Sequence, residues 1–138
     1  ALVCDTLPAY TDAAEQLEWM YGELKKYDHL KGTFVFAHHP PVLAKGSPVK
    51  HKSEWNEPYR TQYVRLMKQH GVKGIFAGHT HYGETTEIDG IPVFTTAASS
   101  YPLYGSPTGY LSITITPDGS FHPTPQLMNL PSTPVGTR

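Results

Sequence analysis

Apolar side chains recur at Leu17, Met20, Tyr21, Leu24 and Tyr27, a three-four spacing that lays one stripe along a helix and predicts an amphipathic helix over 11–27. Asp12 with Glu15 three residues later offers a capping pair at its start, and Lys25 and Lys26 suit the negative end of the helix dipole. A second stripe, Tyr59, Tyr63, Leu66 and Met67, follows Pro58, which suits a first helical turn, and Gly71 closes it. Around these helices the pattern changes to short unbroken apolar runs. Residues 1–4, 33–37 and 73–77 read as strands, and the lack of polar residues after Thr33 predicts a strand covered on both faces. Alternating strands and helices predict an α/β fold with a mainly parallel sheet. Between 42 and 57 the pattern dissolves into Lys, Gly, Ser, Pro and Asn, as expected of an exposed loop that edges a site.

Downstream the period shortens to two. Residues 85–88, the Asp89-Gly90 pair and residues 91–96 predict a hairpin, because Asp-Gly is a favoured two-residue loop. Leu111, Ile113 and Ile115 alternate with Ser112, Thr114 and Thr116, so the strand over 109–116 is expected to bury one face. Pro117-Asp118-Gly119 is a turn signal leading to a last strand from Ser120. One domain over 1–130 is expected, followed by a flexible tail over 131–138 rich in Ser, Thr, Pro and Gly.

A length of 138 residues with 38% apolar side chains is enough to bury a core without disulfides. Eleven basic and twelve acidic side chains leave a formal charge of −1, so bulk electrostatics favour neither nucleic acid nor an anionic membrane. Cys4 is the only cysteine, which excludes an internal disulfide and a cysteine-based zinc finger. No apolar run approaches the ~20 residues of a membrane helix, and no targeting pattern is evident.

Histidine changes this picture. Of eight in the chain, four lie in Ala37-His38-His39-Pro40-Pro41 and Gly78-His79-Thr80-His81, each directly after a predicted strand. In α/β sheets chemistry gathers beyond the carboxyl ends of strands. His79 and His81 are two apart, a spacing of about 6 to 7 Å in extended chain, which serves two adjacent ions better than one. His79 and His81 alone read first as surface histidines in a turn, and His38 and His39 alone also fit a polar loop; two strand ends presenting imidazoles favour metal ligation.

Phe34-Val35-Phe36-Ala37-His38-His39-Pro40-Pro41 followed by Gly74-Ile75-Phe76-Ala77-Gly78-His79-Thr80-His81 resembles the calcineurin-like metallophosphoesterases, the superfamily of purple acid phosphatases and cyclic-nucleotide phosphodiesterases. Leu2-Val3-Cys4-Asp5-Thr6 and Gln16-Leu17-Glu18-Trp19 resemble the strand and helix that precede these segments. The resemblance implies half of a four-layer αββα sandwich, with a mixed sheet and helices on one face. It also implies phosphoester hydrolysis at two metal ions (Zn, Fe or Mn) that activate water and clamp the phosphoryl oxygens. His38 and His79 match ligands of the second ion and His81 a ligand of the first, while His39 matches no ligand and takes a substrate-contacting or supporting place.

The resemblance also implies what these residues do not supply. The family's upstream Asp-x-His segment, bridging Asp and Asn-His segment have no counterpart here, and Asp5 matches only a structural position. The expected partners are therefore the missing N-terminal half, as a separate chain or a removed segment, and a phosphoester substrate. The expected activity is that of a metallophosphoesterase, inactive without that half; the alternative is a non-catalytic, self-associating metal-binding half-domain. His51 and Asn56 in the polar loop either reach substrate or are simply solvated, and Tyr101 and Tyr104 either rim the site or pack. Only the resemblance tilts the expected location to outside the cytoplasm.

Overall fold

The computed structural model describes residues 2–4, 13–30, 32–50 and 53–128. Asp5, Asp12, His51 and the expected tail at 131–138 lie outside the described residues. The elements in order are β1 (Leu2–Cys4), α1 (Ala13–Lys26), β2 (Thr33–Ala37), α2 (Tyr59–Gln69), β3 (Val72–Ala77), β4 (Glu84–Ile88), β5 (Ile91–Thr95), β6 (Gly109–Ile115) and β7 (Phe121–Leu127). Five strands form a mixed sheet in the order β1-β2-β3-β5-β4, and β6 pairs with β7 in a second, two-stranded sheet. Strands β1, β2, β3 and β5 run parallel, and β4 closes one side antiparallel to β5. Both residues of the Asp89-Gly90 turn have positive φ, 51° and 81°, as the favoured two-residue hairpin turn requires.

Alternation along the central strands sorts side chains into two packing layers. Val35, Ile75 and Val93 point to the face covered by both helices, where they meet Met20 and Leu24 of α1 and Tyr63, Val64 and Met67 of α2. The Tyr63 hydroxyl ties the two helices by donating to the Ala13 carbonyl at 3.1 Å. Phe34, Phe76 and Phe94 point to the opposite face and surround the ring of Phe121 from β7, with centroids 5.0, 6.2 and 6.1 Å away. The resulting order is helices, mixed sheet, hairpin. Among the described residues no helix is long and apolar enough to cross a membrane.

Two expected apolar faces differ. The buried stripe of α1 is Ala13, Leu17, Met20 and Leu24, with Leu17 partly covered, so Tyr21 falls at its margin. There it stays exposed, edge-on to His70 at 5.9 Å, while Tyr27 lies just beyond the helix with Lys26 Nζ 5.0 Å from its ring. On β6, Ile115 is 57% exposed, because Phe121 across the register takes the contact with the main sheet.

Candidate metal centre

Parallel pairing of β2 and β3 brings Ala37 beside Ala77, so the residues that follow leave the sheet side by side. The Gly78 N–H donates to the His38 carbonyl at 2.9 Å and joins the two exits. His79 Nδ1 then lies 3.0 Å from His38 Nε2, and the His39 ring sits against that of His79 with centroids 3.8 Å apart. Ligand atoms of His38, His39 and His79 all lie within 4.8 Å of one another. Among the described residues this cluster holds three imidazoles and no carboxylate.

The donor set fits a cation. Two nitrogens bound to one ion at about 2.1 Å stand about 3.0 Å apart at a right angle and about 3.4 Å apart in a tetrahedron, which brackets the His38–His79 separation. A hydrogen bond at that distance needs a proton on one nitrogen, and a cation between the two takes that proton's place. Neutral imidazoles accept Zn, Fe and Mn-type ions but leave the ionic charge uncompensated.

His81 points elsewhere. Its Nδ1 lies 2.6 Å from the Tyr101 carbonyl oxygen, which can only accept, so Nδ1 carries the proton and Nε2 keeps the lone pair a metal would use. Its own carbonyl accepts from the Leu103 N–H at 3.2 Å. A fixed tautomer held by a backbone carbonyl is the usual second partner of a ligating histidine. The structure thus brings His38, His39 and His79 together and aligns His81 outside that group.

Backbone conformation shapes the second segment. His79 and His81 have φ of 62° and 53°, in the left-handed region that residues other than glycine occupy uncommonly, Asn, Asp and His more readily than the rest. Thr80 between them is fully buried; its N–H donates to the Gly78 carbonyl at 2.7 Å and its hydroxyl to the Tyr82 carbonyl at 3.0 Å. One buried residue therefore fixes a turn that presents imidazoles on either side of it.

The loop after Pro41 carries a residue whose importance the sequence pattern did not mark. Trp55 is buried, donates from Nε1 to the His39 carbonyl at 2.8 Å and from its backbone N–H to the Pro40 carbonyl at 3.2 Å. An indole in an otherwise polar stretch was the available signal. Glu54 and Glu84 fasten the same loop by accepting from the Leu43 and Ala44 N–H groups at 2.8 and 3.2 Å. Asn56 is exposed and precedes α2, its carbonyl accepting from the Arg60 N–H at 2.9 Å. Tyr101 stands edge-on to His81 with centroids 6.0 Å apart.

No family model matches the sequence. The chain is similar to a protein from Rhodococcus erythropolis described as a probable cyclic nucleotide phosphodiesterase, with 31% identity over 91 residues. The match covers 62% of this chain and 27% of that protein, so the chain corresponds to about a quarter of its relative's length. The similarity fits a phosphoesterase kind, and the three clustered histidines could hold a metal ion.

Proposed function

We propose that this chain contributes His38, His79 and His81 to a dinuclear metal centre that hydrolyses phosphoester bonds, as a member of the calcineurin-like metallophosphoesterases. The observation that carries the proposal is the approach of His79 Nδ1 to within 3.0 Å of His38 Nε2 at two parallel strand ends. The similarity to a probable phosphodiesterase supports it. In this reading His38 and His79 hold one ion, His81 offers Nε2 to the other, and His39 supports the ring of His79. In this reading an N-terminal metallophosphoesterase half supplies the bridging and charge-neutralising carboxylates, which the described cluster does not include.

When bound, two such ions supply Lewis acidity at the phosphoryl oxygens and a water deprotonated near neutral pH. The chain's own residues orient that chemistry: the Tyr101 carbonyl holds His81 in one tautomer, and Trp55 fixes the backbone of His39 and Pro40. Combining the chain with an N-terminal metallophosphoesterase half in Mn²⁺ or Zn²⁺ is expected to give hydrolysis of an aryl phosphate mono- or diester. A metal-loaded complex without turnover overturns the enzymatic reading.

One observation favours a second reading, in which the chain is a non-catalytic metal-binding module that self-associates. His39, and not His81, completes the cluster of three, which suits a single ion. Metal analysis separates the two: one ion shared between two copies supports the module, and two ions per combined halves support the enzyme.

A further inference from the structure

We infer that Tyr101, flanked by Tyr104, is a specificity-determining residue that stacks an aromatic ring carried by the phosphoester, an inference that rests on the phosphoesterase reading. Two consecutive residues of the ligand turn are each met by a tyrosine of the following loop. His81 faces Tyr101 at 6.0 Å and Tyr82 faces Tyr104 at 6.4 Å, both edge-on at 82°. The loop is tied to the turn at two points, through the Tyr101 carbonyl to His81 Nδ1 and through the Leu103 N–H to the His81 carbonyl. It is closed on itself by Ser106 N–H to the Leu103 carbonyl at 2.9 Å and Gly109 N–H to the Ala98 carbonyl at 3.0 Å.

Despite this anchoring, Tyr101 remains 67% exposed. This ring is held beside a candidate ligand and faces solvent. A tyrosine on a fixed backbone has two side-chain torsions left to order, so it offers a broad apolar face at small entropic cost. A phosphoryl group bound to an ion at His81 Nε2 would lie on the turn that Tyr101 borders. Any aromatic substituent gains from stacking there, because every base or aryl ring presents a π-face, while an aliphatic substituent gains little.

The test measures binding to the zinc-loaded complex of this chain with an N-terminal metallophosphoesterase half by calorimetry, comparing phenylphosphonate with methylphosphonate and adenosine 5′-monophosphate with ribose 5-phosphate. The ring-bearing member of at least one pair is expected to bind roughly fivefold tighter or more. Tyr101→Ala is expected to reduce that ratio to below about twofold, Tyr101→Phe to keep it, and Tyr110→Ala, at an exposed tyrosine on β6, to leave it unaltered. A ratio that collapses in the phenyl pair supports an aryl ring next to phosphorus, and one that collapses in the nucleotide pair supports a base one sugar away. If methylphosphonate binds and Tyr101→Ala leaves both ratios unchanged, the specificity role falls and the phosphoesterase reading stands. If none of the four ligands binds, both fall together.

Discussion

His79 Nδ1 and His38 Nε2 are 3.0 Å apart across 41 residues of chain, and the sheet itself sets that distance. Ala37 pairs with Ala77, so a rigid ladder ends one residue before His38 and two before His79. Donors positioned by a ladder need little ordering when a cation arrives, and that makes metal affinity a direct probe of the fold.

Zinc at about 100 times its dissociation constant is expected to stabilise the chain by about 2.7 kcal/mol, a rise in Tm on the order of 10 °C. Chelator should reverse the shift, and His79→Ala should abolish it. A melting curve of the unaltered chain that ignores zinc refutes the assignment of the cluster as a metal site.

Trp55→Phe keeps a ring against Tyr63 but removes the donor to the His39 carbonyl. Leaving a buried carbonyl without its partner costs about 1–3 kcal/mol, to be read from urea unfolding. Zinc affinity should fall as well, since the His39-Pro40 backbone is released.

Two glycines predict opposite signs. Gly22 lies exposed in α1 with open space where a Cβ would stand, so Gly22→Ala should stabilise by about 0.5–1 kcal/mol. At Gly109 a Cβ would collide with the Gln126 carbonyl of the paired strand, so Gly109→Ala should weaken the β6–β7 hairpin, seen as faster amide exchange along both strands.

The hairpin turn carries its own acid sensitivity. The Thr116 hydroxyl, then the Ser120 N–H and hydroxyl, donate to the Asp118 carboxylate and hold its pKa down to about 2 from an ordinary 3.8. A depressed carboxylate stabilises the folded turn fully above about pH 4, and the contribution disappears as pH falls through about 2. Asp118→Asn should therefore loosen the turn at pH 7, and its difference from the unaltered chain should vanish near pH 2, as followed by amide exchange at Ser120.

The parts of this fold that sequence reveals are those decided locally. The strand over 33–37 is bounded by Gly32 and by the histidine and proline segment, and it forms with those limits. Asp89-Gly90 makes its turn because both residues tolerate positive φ. Tyr21 and Ile115 fit their periodic patterns yet remain exposed, because the partner surface, a helix face in one case and a strand shared with Phe121 in the other, is fixed only in three dimensions. For the same reason histidine spacing locates both segments of the site but does not reveal that His39 stacks on His79 while His81 turns toward the Tyr101 loop.

The left-handed backbone at His79 and His81 sets stability and chemistry against each other at two named positions. Each carries a conformational cost on the order of 1 kcal/mol that glycine would not. Glycine at 79 and 81 would relieve that cost but forfeit the contacts of His79 with His38 and His39 and the bond of His81 to the Tyr101 carbonyl. The imidazole contacts thus offset the backbone cost, and His79→Gly should strip the protein of its cation without raising its Tm.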